Sequence, residues 1–286
     1  MIKIKSMEKR KKTIFITGAS SGIGRETALR LAKDGHKVFA GIRKKIDKDE
    51  IESLNAGVKG VYIDVSNPAS IDKAFWYVLK NADKIDVLIN NAGIAEASPA
   101  EFISLNRLKK QFDVNTFGAM AVMQKFMPLL TGGRVINISS MASYGIFPYV
   151  SAYCASKRAL DILMNCFMLE NKNNIKVVSI KPAVIKTPIW EKSIKRCEAE
   201  FLRLKETDRA KYQKEFDYMK KQALIAAKTG IEPYKAVNKI IEAALKENPK
   251  PSYNIGAGAV FADWFSKLPL PLMNFFIKLK LNCIKG

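Results

Sequence analysis

The chain has 286 residues, long enough to bury a substantial core, and its 48% hydrophobic and 26% charged composition excludes a disordered or fibrous chain. Its 48 lysines and arginines against 27 acidic residues leave a formal charge of +21. That excess raises a nucleic-acid or membrane-surface partner, but the basic residues are spread along the chain and no nucleic-acid-binding motif gathers them, so no nucleic acid is expected.

The densest basic run, KRKK at positions 9 to 12, precedes the first strand and reads as part of a solvated N-terminal tail, residues 1 to 12. Charges at positions 3, 5, 8 and 9 leave no apolar stretch of signal-peptide length. Cys154, Cys166, Cys197 and Cys283 show no CxxC spacing, and the single histidine, His36, offers no partner, so reduced thiols in a cytoplasmic protein and no metal site are expected. A spanning helix needs about 18 uncharged apolar residues. The nearest candidate, 260 to 284, is broken by Asp263, Lys267, Lys278 and Lys280, and by Pro269 and Pro271.

In chain order, β-branched runs predict strands at 13 to 17, 37 to 42, 60 to 64, 85 to 90, 134 to 139 and 176 to 180. Amphipathic stretches at 22 to 34, 68 to 81, 102 to 130 and 153 to 171 predict the helices between them. Strands without polar alternation are buried on both faces, and strand-helix alternation implies right-handed parallel crossovers. The expected fold is therefore a Rossmann-type, doubly wound α/β sheet in a single domain, 13 to 256. Within it, 188 to 228 reads as a long, charged helical substrate lobe or lid, before a helix near 233 to 247 and a strand at 252 to 255. Residues 257 to 286 form an apolar and basic C-terminal tail, open to three roles: a lid over a cleft, an oligomer contact, or an interfacial anchor.

TGASSGIG, 17 to 24, joins the first strand to the first helix. Gly18 permits a tight turn, Gly22 lets the backbone approach a phosphate, and Gly24 lets the helix pack on the sheet. The helix amides that follow can hold a pyrophosphate. The GxxxGxG spacing, NNAG at 90 to 93 and an Asp after strand three, Asp64, resemble the short-chain dehydrogenase/reductase family, over residues 13 to about 190. That resemblance implies cofactor contacts from Gly18, Ser20, Ser21, Gly22, Ile23 and Gly24, from Asp64 and Val65 near the adenine, and from Asn91, Ala92 and Gly93. Which nicotinamide is used is written at the end of strand two. Ile42 stands where NAD-preferring members carry Asp and is followed by Arg43, Lys44 and Lys45, so NADP(H) is expected over NAD(H), with Arg43 on the 2′-phosphate.

The same resemblance supplies a catalytic pattern of Asn, Ser, Tyr and Lys. Here it is matched by Asn115, Ser140, Tyr153 and Lys157, the last two four residues apart on one helical face. A phenol titrates near ~10, too high for an efficient shuttle at neutral pH. Lys157 and the oxidised nicotinamide are expected to lower it, Ser140 to position the reacting oxygen, and Asn115 to anchor a water. Lys157 is also expected on the nicotinamide ribose. Ser139, beside Ser140, should point the other way. The family's PGxxxT reads PAVIKT, which leaves Pro182, Val184, Ile185 and Thr187 on the cofactor but puts Ala183 where a glycine is usual.

Met141, Tyr144, Phe147 and Tyr149 are expected to wall the substrate cleft beside Ser140. Together with the apolar tail they are similar to the hydroxysteroid and retinol dehydrogenase branch, which implies a lipophilic ketone, aldehyde or alcohol as substrate. The resemblance also implies a homo-oligomer, and the tail admits peripheral membrane contact. The competing function is a non-catalytic dinucleotide-binding regulator of the same fold.

Overall fold

The computed structural model describes residues 10–285. Residues 1–9 of the expected tail, Lys9 included, and the side chain of Cys283 lie outside the described residues.

Seven strands, β1 (Thr13–Ile16), β2 (Lys37–Ile42), β3 (Val58–Tyr62), β4 (Val87–Asn90), β5 (Arg134–Ile138), β6 (Lys176–Pro182) and β7 (Ser252–Ile255), pair in parallel in the order 3-2-1-4-5-6-7. Helices α1 (Gly22–Lys33), α2 (Lys45–Leu54), α3 (Pro68–Leu79), α4 (Leu105–Phe112), α5 (Gly118–Phe126) and α6 (Ser151–Glu170) fill the first five crossovers. α7 (Ile189–Phe201), α8 (Glu206–Thr229) and α9 (Pro233–Leu245) lie between β6 and β7, and α10 (Ala257–Phe265) and α11 (Leu270–Lys285) follow. The strand order reverses between β1 and β4, and a crevice opens at the carboxyl ends of strands where such a sheet reverses.

Alternation along β1 shows why both sheet faces are apolar. Ile14 and Ile16 join a core layer with Leu31 of α1 and Ile240 of α9, while Phe15 faces the other way into a layer with Val78, Phe126 and Leu160 from α3, α5 and α6. Phe15 stacks on Phe126 with ring centroids 4.7 Å apart. These layers fix the strands whose ends carry the site.

Several elements differ from expectation, each for a local reason. The stretch 102 to 130 is divided into α4, a π turn over Asp113–Phe117, α5 and a final 3-10 turn. α2 was not foreseen because it is short and charged and buries only Ile51. The charged helical region 188 to 228 consists of two helices, α7 and α8, joined by Phe201 stacked on Phe216 at 4.1 Å. Residues 10 to 12 are not a free solvated tail. The Lys11 and Lys12 ammonium groups donate to the carbonyls of Asp34 and Ala244, and the Lys12 amide donates to Nδ1 of buried His36. The C-terminal segment is folded onto the domain: α10 packs on β7 and on the 3-10 turn Met141–Ser143, and α11 packs on α8.

Candidate active site

The glycine loop has the conformation its residues allow. Gly18 and Gly22 have φ of +67° and +59°, the left-handed region that disfavours side chains. A Cβ on Gly18 would lie 2.7 Å from Cα of Ala92, and one on Gly24 would lie 2.3 Å from Nδ2 of Asn91, so the two segments meet where only glycine fits. Thr17 and Asn91 hold that contact. The Thr17 hydroxyl accepts from the amides of Asn91 and Ala92, and the Asn91 amide donates to the carbonyls of Thr17 and Gly18 at 3.0 and 2.8 Å. The Asn91 side chain is therefore spent on the loop itself. Ser21 caps α1 with no side-chain hydrogen bond, and the first turn carries no acidic residue. A helix terminus of this kind suits an anion.

Around the rim, Arg43 is exposed beyond fully buried Ile42. Burial pushes the Asp64 carboxyl upward, but hydrogen bonds from Ser66 and the nearby charge of Arg43 outweigh it and hold the group below its ordinary value. The Val65 side chain is core, so any cofactor contact there falls to its backbone. The carbonyls of Val184 and Ile185 accept from the Ile231 amide and from Nε1 of Trp190, which leaves the amides as the backbone groups for the expected cofactor contact. Ala183 needs no positive φ, and its methyl lies against Gly256 and Gly258, which have no side chains to clash with it. The Thr187 side chain closes over Gly22, 3.5 Å from where a Cβ would stand.

Asn115, Ser140, Tyr153 and Lys157 converge at the carboxyl end of β5. The Ser140 hydroxyl accepts from the Ala142 amide at 3.1 Å and lies beside the Tyr153 hydroxyl, where its polarity favours the phenolate. The Lys157 ammonium donates to the Ile138 carbonyl at 2.7 Å and lies 6.0 Å from the centre of the Tyr153 ring. Asn115 sits in the π turn, a distortion that recurs at functional sites. It brackets the Ile94 backbone from both sides and donates to Ser156. Both of its N–H groups are thus engaged by protein, so a water would have to be held by an acceptor. Ser139 turns into the core, as alternation requires, and is 2% exposed.

Burial raises Tyr153 to about 12, with the Ser140 hydrogen bond only partly opposing it. The expected lowering is therefore not a property of the protein alone, because the Lys157 ammonium is aimed at the Ile138 carbonyl. Burial also lowers Lys157 to about 8, opposed by the charge of Asp161. The pair at neutral pH is a phenol and a largely charged amine, able to deliver a proton to an acceptor and then to stabilise the phenolate.

Of the expected substrate wall, Met141 lies against α10, where a Cβ on Gly258 would be 3.6 Å from its Sδ. Phe147 folds over Gly145. Tyr149 adopts φ +69°, and its carbonyl accepts from the Ser98 amide. Tyr144 is more committed than a cleft residue should be, since its hydroxyl donates to Asn254 and its ring is covered by the Lys181 ammonium at 4.1 Å. Two arrangements had no sequence signal because they join distant segments. Asp161, one turn beyond Lys157, pairs with Lys181. Buried Glu96 pairs with Arg107 at 2.6 Å and with Arg196 of α7 at 2.7 Å, while Gln111 bonds the backbone of Ile94 and Glu96.

Residues 12–198 match the short chain dehydrogenase family. The chain belongs to that family. It is an oxidoreductase acting on CH–OH groups. It is 33% identical over 250 residues to the uncharacterized oxidoreductase YbbO of Escherichia coli, covering 85% of each chain. It is 32% identical over 189 residues to the NADPH-dependent 3-dehydrocapnine reductase of Ornithobacterium rhinotracheale, covering 62% of this chain and 67% of that one. The structure of a short chain dehydrogenase/reductase from Burkholderia phymatum in complex with NAD superposes with a TM-score of 0.77 at 23% identity, covering 90% of this chain and 93% of that one, a likeness of fold. Cys154, Cys166 and Cys197 are free thiols, and the described residues hold no cluster of metal-ligating side chains.

Proposed function

We propose that this short-chain dehydrogenase is a cytoplasmic, NADP(H)-dependent enzyme that moves a hydride between the nicotinamide and a lipophilic ketone, aldehyde or alcohol, with Tyr153 as proton donor and acceptor. The observation that carries the reading is the convergence of the Ser140 hydroxyl, the Tyr153 phenol and the Lys157 ammonium at the end of β5. The dinucleotide fits the crevice: two positive-φ glycines, an uncapped α1 terminus free of acids and exposed Arg43 offer hydrogen-bond donors and positive charge, with no carboxylate on strand two against a 2′-phosphate. When bound, the nicotinamide supplies or accepts the hydride.

In the reducing direction Ser140 turns its hydroxyl to the substrate oxygen, Tyr153 gives that oxygen its proton, and Lys157 stabilises the phenolate left behind. With the hydride from the cofactor, carbonyl becomes alcohol and charge balances. Arg43 supports the phosphorylated cofactor, as does the relative named an NADPH-dependent reductase. Met141, Phe147 and Tyr149 support an apolar substrate. Exposed Phe117, Ile162 and Leu169, on the π turn and α6, support an oligomer of like chains. The apolar C-terminal helices support peripheral membrane contact.

The test follows NADPH and NADH absorbance with a panel of lipophilic ketones and aldehydes, alongside Tyr153→Phe. The expected result is faster turnover with NADPH than with NADH and a loss of about 100-fold or more in the variant, with cofactor binding retained. Turnover that survives Tyr153→Phe would overturn the assignment of the proton, and cofactor binding without turnover of any substrate would favour the regulator.

A further inference from the structure

The largest feature the catalytic reading leaves unused is the outer face of the C-terminal helices. α11 has two apolar sides. Met273 is buried and Ile277 and Leu281 are half-buried, one stripe at helical spacing that seats α11 on the protein. At about 100° per residue, Leu272, Phe275, Phe276 and Leu279 fall on the opposite side, where they are between 41% and 55% exposed. Lys278 and Lys280 occupy the two shoulders between these stripes.

The exposed side continues across α10. Ring contacts run from Trp264 to Phe261 at 6.0 Å, to Phe265 at 5.7 Å, to Phe276 at 6.3 Å and to Phe275 at 5.6 Å, so the two helices present one aromatic surface. Phe261 and Trp264 are each 59% exposed. No described helix is long and apolar enough to cross a membrane.

We propose that this two-helix face docks on an anionic lipid bilayer, lying in the interface with Trp264, Phe261, Phe275 and Phe276 inserted and lysines at the headgroups. Charge selects this occupant. Beyond Asp263 the chain carries four lysines and no acidic residue, on a protein of formal charge +21. A second copy on the same face would set lysine against lysine, whereas an anionic surface attracts each of them. Aromatic rings flanked by snorkelling lysines are the composition of an interfacial helix. The inner side of α10 rests on the 3-10 turn Met141–Ser143, next to Ser140. Docking therefore sets the cleft wall at the lipid surface, a consequence that rests on the reading of a lipophilic substrate.

The test is co-sedimentation of the full chain, without cofactor, with phosphatidylcholine vesicles and with phosphatidylcholine vesicles containing phosphatidylglycerol. Binding to the anionic vesicles about tenfold or more above the neutral ones, weakened by salt, is expected. Lys278→Glu with Lys280→Glu, and separately Phe275→Ser with Phe276→Ser, should each reduce it about tenfold, while circular dichroism and NADPH turnover of a water-soluble carbonyl stay unchanged. The Trp264 emission, taken as the difference from Trp264→Phe, should shift to the blue with anionic vesicles. Equal sedimentation of wild type and both variants would overturn the proposal. So would variants that bind vesicles normally but change oligomeric mass, because a second copy would then be the occupant. Vesicle binding is read without turnover, so an inactive protein that binds would refute the enzymatic reading and leave the docking intact.

Discussion

Asp161 and Lys181 form a buried ion pair, 3.1 Å from Oδ2 to Nζ, that ties the helix carrying Tyr153 and Lys157 to the end of β6. The carboxylate also accepts from the Ser179 hydroxyl, and the ammonium covers the Tyr144 ring, which bonds Asn254 near α10. Tyr153, Lys157 and Asp161 follow at intervals of four residues on one face of α6, so the carboxylate supports the charge of Lys157 from one turn below. Asp161→Asn leaves Lys181 buried without its counter-ion. Urea unfolding should show a loss of about 3–5 kcal/mol, and Asp161→Asn with Lys181→Met should recover most of it. A single variant as stable as wild type would show that the pair contributes nothing.

The role proposed for Lys157 implies an alkaline limit on reduction. Its ammonium, lowered to about 8 by burial, is present below that pH and lost as pH rises through it, while Tyr153 at about 12 keeps its proton throughout. Because the reduced nicotinamide ring is uncharged, it adds no cation beside the pair. The kcat/KM for carbonyl reduction should therefore be level near pH 7 and fall about tenfold per unit once well above the Lys157 value. Asp161→Asn should carry the same limb to lower pH, since it removes the charge that opposes burial. A profile flat to pH 10 would refute this assignment.

Much of this arrangement was legible in the residues. The glycine loop could be placed by its position between the first strand and the first helix, Ser140, Tyr153 and Lys157 by their match to the pattern of the family the chain resembles, and β2 and β7 have the bounds that the apolar runs implied. Contacts between distant segments carry no such period. Nothing in positions 96, 107 and 196 announces that one carboxylate joins two arginines, and nothing in position 181 announces Asp161. The raised Tyr153 was equally invisible, because motif spacing says nothing of burial or of where the lysine's protons point. The hairpin of α7 and α8 was hidden by charge spread evenly through both helices.

Glu96 tethers α7, the first helix of the proposed substrate lobe. Its side chain is 2% exposed and is shared by Arg107, from α4, and Arg196, from α7. Arg196 also donates to the Ala95 carbonyl, in the segment that follows NNAG. Removing Arg196 leaves Glu96 paired with Arg107, so the fold should survive while α7 loses its anchor. Arg196→Ala is expected to raise the substrate KM about threefold to tenfold with the NADPH dissociation constant unchanged. Glu96→Ala should instead destabilise the whole protein by about 3–5 kcal/mol, because it strands two guanidinium groups. Equal effects of Arg196→Ala on substrate and cofactor would show that the tether serves the scaffold and that α7 has no separate part in substrate binding.

The proposed preference for NADP(H) rests on Arg43. It is exposed, follows buried Ile42 at the end of β2, and lies close enough to Asp64 to help hold that carboxyl low. A guanidinium can meet a 2′-phosphate with two hydrogen bonds, whereas a 2′-hydroxyl offers it little. Arg43→Ala should therefore raise the KM for NADPH by about tenfold to 100-fold, the range of a charge-assisted contact, and leave the KM for NADH nearly unchanged. Ile42→Asp together with Arg43→Ala should go further and invert the preference, since the new carboxylate would accept from the ribose hydroxyls and repel the phosphate. Steady-state kinetics with both cofactors decide the matter. If Arg43→Ala weakened NADPH and NADH alike, the side chain would be shaping the loop and not reading the phosphate.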